Sequence, residues 1–101
     1  MEKDLRYIEL FELYQGLLTD RQRELFRSHY YYDLSLSEIA EPDGNTRQSV
    51  YAAVKKVKEK LDEYESILNL HEKNRKLYSV AKTLSETNEK ISKEILDLIG
   101  R

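Results

Sequence analysis

The residues best suited to bind a ligand are the basic and polar side chains between Thr46 and Lys60. Five cations in this stretch are accompanied by Glu59 as the single acid. Arginine can pair bidentately with guanine, glutamine with adenine, and lysine contacts phosphates. At 3.6 residues per helical turn, inward-facing Val50 and Val54 would place Gln48 and Lys55 outside. The spacing therefore predicts a polar helix face.

This face is the candidate nucleic-acid site, and a merely solvated helix surface is the alternative interpretation. Its predicted contact residues are Thr46, Arg47, Gln48, Ser49, Tyr51, Lys55, Lys56 and Lys58.

Helical patterns before this stretch predict the elements that position it. Apolar residues recur at three- and four-residue spacing over residues 3–18, which is typical of an amphipathic helix. Thr19 with Gln22 forms a capping-box pattern, so a second helix should begin there. Ser35 with Glu38 repeats that pattern for a short third helix.

A tight turn should separate the third helix from the fourth. Pro42 ends the third helix, because proline lacks the amide donor and clashes with the preceding turn. Residues 41–44 fit a type I turn with Gly44 at its fourth position. Thr46 then caps a long helix with an apolar stripe facing the core: Val50, Val54, Val57, Leu61, Tyr64 and Leu68. Two helices joined by a turn, the second polar at its start, predict a helix-turn-helix.

After about residue 66 the apolar pattern changes to a heptad repeat. Breaks are expected near residues 66–71, where the frame slips, and at 83–88, where Thr83 with Glu86 forms another capping-box pattern. The tail is therefore expected to be either one long helix that pairs along this seam or a hairpin. The predicted oligomerisation seam comprises Ile67, Leu70, Asn74, Leu77, Ala81, Leu84, Asn88, Ile91, Ile95 and Leu98. We thus predict a helix-turn-helix domain over residues 1–65 and a heptad segment over residues 66–101.

Composition favours an all-α protein and restricts the kinds of ligand that it can bind. The chain of 101 residues is 40% hydrophobic and 36% charged, with one Pro and three Gly. A net charge of −2 confines nucleic-acid binding to a local patch. The absence of Cys excludes disulfides and thiolate metal sites, and His29 and His71 alone do not make a zinc site. We expect no cofactor, no small-molecule substrate and no membrane contact, and a cytoplasmic location.

Other candidate residues have ordinary structural interpretations. Two of the three tyrosines at residues 30–32 are expected to fill the junction between the second and third helices, although stacking on unpaired bases is an alternative. His29 is expected to be structural. Glu63, Glu65 and Glu72 are expected to be solvated, because no nucleophile, base or metal set accompanies them. An enzyme is not expected.

Three segments carry a resemblance to a known family. Leu18-Thr-Asp-Arg-Gln-Arg-Glu-Leu, Asp33-Leu-Ser-Leu-Ser-Glu-Ile-Ala40 and Thr46-Arg-Gln-Ser-Val-Tyr51 resemble region four of bacterial sigma factors. With the flanking residues 11–18 and 55–65, the chain resembles the YlxM family of small bacterial helix-turn-helix proteins over about residues 5–70. The gene for these proteins commonly neighbours that of the signal recognition particle GTPase.

The resemblance implies an accessory protein of the signal recognition particle pathway, bound to its RNA or its GTPase. The sequence departs from the family in the turn, where Asp43 and Asn45 replace apolar residues. Burying unpaired polar groups is costly, so both side chains should point outward.

Three hypotheses follow for the function. The first is an RNA-binding accessory protein, the second a protein-interaction or homodimer module that uses the heptad seam, and the third a DNA-binding transcriptional regulator.

Overall fold

A computed structural model describes residues 5–85 and 88–100, and within them the chain forms six α-helices and no strand. The predicted all-α class is confirmed. The helices are α1 (Leu5–Tyr14), α2 (Asp20–Tyr30), α3 (Leu36–Ala40), α4 (Arg47–Leu68), α5 (Leu70–Leu84) and α6 (Glu89–Ile99), with 3₁₀ turns at Gln15–Leu17 and Glu41–Asp43. The chain divides into two compact units between Ile67 and Leu68, close to the predicted boundary after residue 65.

Two of the three predicted capping boxes are present, at the starts of α2 and α3. The amide of Gln22 donates to Thr19 Oγ1 at 3.1 Å, and the amide of Thr19 donates to Gln22 Oε1 at 2.9 Å. Ser35 and Glu38 exchange the same two bonds at 3.1 and 3.0 Å. The bonds from the backbone and side chain of Ser35 lower the pKa of Glu38. These caps set where α2 and α3 begin.

The core of the first unit is built from α1, α2 and the inward face of α4. Phe11 of α1 stacks on Phe26 of α2 with ring centroids 4.3 Å apart, and Tyr30 stacks on the other side of Phe26 at 4.3 Å. The predicted α4 stripe is buried from Val50 to Leu61. The core residues are Leu10, Phe11, Tyr14, Leu18, Leu25, Phe26, Ala40, Val50, Val54, Val57 and Leu61.

Two of the three tyrosines at residues 30–32 contact the aromatic core. Tyr30 stacks on Phe26, and Tyr31 meets the Phe11 ring edge-on at 5.7 Å. Partial burial raises the pKa of Tyr31. Tyr32 is 69% exposed. These ring contacts extend the aromatic core of α1 and α2.

His29 has the structural role expected of it. Its Nδ1 lies 3.0 Å from the carbonyl oxygen of Leu34, which can accept a hydrogen bond from the ring. The bond spans the link between α2 and α3, where Asp33 adopts a left-handed backbone with φ +60°. The contact holds this link in place.

The far end of the α4 stripe corrects two predictions. Leu68, expected in the core, is 43% exposed, whereas Glu65, expected to be solvated, is buried. The Tyr14 hydroxyl donates to Glu65 Oε1 at 2.5 Å. A step of four residues from Leu61 continues the helical period onto Glu65, so the carboxylate occupies a core position with a phenol as its hydrogen-bond donor.

The second unit is a helical hairpin, so a single continuous seam is not what the tail forms. Asn69, with φ +56°, lies at the first expected break. Asn88 does not occupy a seam position inside a helix but caps α6, where its Oδ1 accepts from the Ile91 amide at 3.2 Å. Thr83 lies within α5 and donates to the Ser79 carbonyl at 3.1 Å, so it caps no helix. Its predicted partner Glu86 falls outside the described residues.

Helices α5 and α6 meet at small residues. The Ser92 hydroxyl donates to the carbonyl oxygen of Ala81 at 2.5 Å, and both residues are buried. Their small size allows the two helices to approach closely. Several larger seam residues, including Leu77 and Ile91, remain nearly half exposed.

Candidate nucleic-acid interface

The turn between α3 and α4 has the predicted type I hydrogen bond. The amide of Gly44 donates to the Glu41 carbonyl at 3.1 Å, and the next amide, of Asn45, donates to the Ala40 carbonyl at 3.0 Å. Gly44 has φ +68°, a left-handed conformation that glycine adopts without strain. Asp43 and Asn45 are exposed, as expected for polar residues in this turn.

The turn leads directly into the capped start of α4. Thr46 Oγ1 accepts from the Ser49 amide at 3.1 Å, and the Ser49 hydroxyl donates back to the Thr46 carbonyl at 3.1 Å. Val50 is buried beside this cap. The first turns of α4 therefore have one face fixed in the core and the other face in solvent.

Seven of the eight predicted contact residues lie on the exposed side of α4. Tyr51, the largest of them, is 57% exposed. Within residues 5–85 and 88–100, no ion pair neutralises Arg47, Lys55 or Lys56. The exposed set, called here the α4 outer face, consists of Thr46, Arg47, Gln48, Ser49, Tyr51, Lys55 and Lys56.

Lys58 lies elsewhere, against α1. It is half-buried, and its Nζ sits 5.0 Å from the centre of the Tyr7 ring. Its charge also helps to lower the pKa of Asp62. The structure thus gives Lys58 a role in the contact between α1 and α4, apart from the α4 outer face.

Asp62 is the centre of this α1–α4 contact. It accepts from Arg6 Nη1 and from the Tyr7 hydroxyl, both at 2.7 Å. Burial acts to raise the pKa of Asp62, but the two hydrogen bonds and the nearby cations outweigh it and lower that pKa. The hydrogen bond to Asp62 raises the pKa of Arg6. Sequence reasoning missed this cluster, because Asp62 lies more than fifty positions from Arg6 and Tyr7 and no local spacing links them.

A groove beside the α4 outer face was also invisible in the sequence. It lies between the first turns of α2 and α4 and encloses about 200 Å³. Arg21 reaches its rim from α2 and pairs with Asp43 of the turn at 3.3 Å. Its lining comes from both α2 and α4, and no local sequence pattern predicts a contact between these two helices. The groove is lined by Arg21, Gln22, Leu25, Asn45, Ser49, Val50, Ala53 and Lys56.

Metal sites and membrane spans are two other features that a helical protein can contain. In the described part of the chain, no three His, Asp or Glu side chains come together in a way that could hold a metal ion. No helix among these residues is both long and apolar enough to cross a membrane.

A short α3, a glycine turn and a capped α4 with a polar outer face define a helix-turn-helix protein. A family model described as "Putative helix-turn-helix protein, YlxM / p13 like" matches residues 1–99. The chain belongs to this family, as the sequence resemblance indicated.

Curated relatives agree with that assignment. The chain is 39% identical over 101 residues to the UPF0122 protein BH2485 of Halalkalibacterium halodurans, covering 98% of this chain and 93% of the relative. It is 37% identical over 102 residues to a UPF0122 protein of Bacillus thuringiensis, with the same coverage of both chains. A UPF0122 protein of Ureaplasma parvum serovar 3 is 45% identical over 69 residues, covering 68% of this chain and 70% of the relative.

Proposed function

We propose that this protein binds nucleic acid through the α4 outer face and acts by binding, without catalysis. The observation that carries the proposal is the set of exposed cations Arg47, Lys55 and Lys56, which have no ion pair in the described residues. Such cations gain free energy at a phosphate backbone by releasing condensed counterions. Gln48 adds a side chain that can pair with an adenine edge.

Local geometry compensates for the overall negative charge of −2. The Gly44 turn and the Thr46 cap leave the start of α4 open, and Arg21 pairs with Asp43, an acidic residue of that turn. The negative charge on the rest of the surface still repels a nucleic acid, which limits the number of phosphates that the protein can contact. We expect contacts with about three or four phosphates, far fewer than in a broadly basic protein.

The salt dependence of binding tests this proposal. Arg47→Ala with Lys55→Ala should reduce the slope of log affinity against log salt by about 1.4 to 1.8, since each lost phosphate contact removes about 0.7 to 0.9. Fluorescence anisotropy of a labelled RNA or DNA hairpin between about 50 and 200 mM salt measures the slope.

A matched control separates the site from bulk charge. Lys73→Ala with Lys82→Ala removes the same charge from exposed positions on α5. This pair should leave the slope nearly unchanged. Equal slopes for the wild type and the Arg47 and Lys55 variant would rule out the α4 outer face.

A narrower proposal concerns the ligand. We propose that it is the RNA of the signal recognition particle or the complex of that RNA with its GTPase, and this step rests on the family resemblance alone. The test is capture of the particle GTPase by the tagged protein with and without the particle RNA. Capture that depends on RNA supports an RNA ligand, capture without RNA supports a protein contact, and failure of both rejects this narrower proposal. Sequence-specific binding to duplex DNA in a selection from random sequences would instead favour a transcriptional regulator.

A second candidate function is self-association through the hairpin of α5 and α6. The observation in its favour is that α5 and α6 each carry apolar seam positions that remain exposed. Leu70, Leu77, Ile91 and Leu98 are between 40% and 70% exposed. Their seven-residue spacing is the pattern by which helices pair in bundles. A second copy of the hairpin carries the same positions and could bury them in a four-helix arrangement.

A further inference from the structure

The groove between α2 and α4 has the composition of a small binding site. Its floor is apolar, formed by Leu25 and Val50, which are buried, and Ala53, which is half-buried. Its rim is polar and includes two cations. Small-molecule and nucleobase sites share this plan, in which apolar surface supplies contact area and a few polar groups fix the orientation. The rim residues are Arg21, Gln22, Asn45, Ser49 and Lys56.

The size of the groove limits what it can hold. At about 200 Å³ it exceeds the cavity of about 150 Å³ that accommodates benzene in a protein core. It is smaller than the roughly 300 to 1,000 Å³ of sites for drug-sized ligands. One flat ring system therefore fits, and a larger ligand would have to extend into solvent.

One cation at the rim is available to an anionic ligand. Among the lining residues, Arg21 and Lys56 are cationic and none is acidic. Arg21 pairs with two carboxylates outside the lining, Asp43 at 3.3 Å and Glu24 at 4.0 Å, and these neutralise its charge. Lys56 has no ion pair within the described residues and also belongs to the α4 outer face. A ring with a phosphate beside it matches both the floor and the rim.

We propose that this groove receives one unpaired nucleotide of a nucleic acid bound on the α4 outer face. The base lies against Leu25, Val50 and Ala53, and a neighbouring phosphate lies beside Lys56. A paired base cannot reach the floor, because its faces are covered by its neighbours in the stack and its edge is occupied by its partner. The inference rests on the proposed function and specifies it further, since it predicts a preference for bulged or single-stranded segments.

Two hairpins of otherwise identical sequence test the proposal, one fully paired and one with a single bulged pyrimidine. The wild-type protein should bind the bulged hairpin about tenfold more tightly, which corresponds to about 1.4 kcal/mol, the scale of covering a small aliphatic surface. Fluorescence anisotropy at fixed salt gives both dissociation constants. RNA and DNA versions of each hairpin show whether the ribose matters.

Adjacent alanines provide a matched pair of variants. Ala53→Leu fills the groove, whereas Ala52→Leu adds the same atoms at an exposed position outside the groove lining. Ala53→Leu should bring the ratio of the two dissociation constants close to one, while the paired hairpin is bound within about twofold of wild type. Ala52→Leu lies among the α4 outer face residues and should weaken both hairpins alike, which preserves the ratio.

A second variant tests the groove without changing the core, in case Ala53→Leu disturbs packing. Asn45→Asp places a carboxylate at the exposed rim and should lower the ratio without touching the core. A wild-type ratio near one, or an unchanged ratio in a folded Ala53→Leu and in Asn45→Asp, overturns the groove proposal. Salt-dependent binding of the paired hairpin would then still support the proposed function. If neither hairpin binds in a salt-dependent way, both proposals fail.

Discussion

Tyr14 and Glu65 lie fifty-one positions apart, yet their side chains share one of the shortest hydrogen bonds of the first unit. Both residues are buried, with Glu65 9% exposed. A buried carboxylate is costly unless donors satisfy it, so the bond from the phenol helps Glu65 to occupy a core position. Helical spacing alone places Glu65 on the core stripe of α4, but only the fold brings Tyr14 to it.

We predict that Tyr14→Phe destabilises the protein more than Tyr64→Phe does. The first change removes a hydrogen bond to a buried carboxylate and should cost about 1 to 3 kcal/mol. The second removes a bond at 3.2 Å to the exposed Leu17 carbonyl, which water can replace, and should cost less than about 1 kcal/mol. Urea denaturation followed by circular dichroism gives both free energies of unfolding. Equal losses would contradict the structural role of the Tyr14 bond.

At the scale of elements, α3 shows how local signals shape the helix-turn-helix. It has five residues, too few to be stable alone, and its start is set by the Ser35 and Glu38 capping box. Its end is set by Pro42 and the Gly44 turn. These signals are contiguous in sequence, which is why the predicted order of helix, turn and helix matches the structure.

We predict that Ser35→Ala lowers the free energy of unfolding by about 1 kcal/mol, within a range of 0.5 to 2, because it removes the acceptor for the Glu38 amide. Ser37→Ala is the matched control, since Ser37 is exposed and lies inside the same helix. It should change stability by less than about 0.5 kcal/mol. A loss at Ser37 as large as that at Ser35 would show that the cap is not what stabilises α3.

At the scale of the whole molecule, the two units differ in how much they bury. The first unit contains an extended aromatic and aliphatic core, whereas the buried residues described in the second are Ala81 and Ser92. A hairpin of this length gains little free energy from so small a core. Association with a second copy would supply the missing apolar contacts.

We predict that the protein dimerises through the hairpin and that Leu77→Lys prevents it, because a lysine at a 45% exposed seam position would place charge within the interface. Sedimentation equilibrium from about ten to several hundred micromolar should show a mass that rises with concentration for the wild type and stays monomeric for Leu77→Lys. Ser79→Lys adds the same charge at an exposed position outside the seam and should behave like the wild type. A monomeric wild type at every concentration would reject self-association.

Local sequence patterns were enough to predict the helical class, the caps of α2 and α3, the turn at residues 41–44 and the exposed position of Arg47, Gln48 and Lys55. Each of these follows from spacing within about one helical turn, where propensity and hydrogen bonding act locally. The heptad spacing of the tail is also a local pattern, but a hairpin satisfies it as well as one long helix does. The sequence therefore did not distinguish between these two structures.

The contacts between side chains of different helices, in contrast, were not predictable and follow from the folded structure. In the fold, Glu65 accepts a hydrogen bond from Tyr14, and Lys58 lies over the Tyr7 ring and not on the α4 outer face. Arg21 and Lys56 line the same groove. The fold also makes Asn88 a cap instead of a seam residue. Such contacts depend on how distant helices pack, and a one-dimensional period carries no information about that packing.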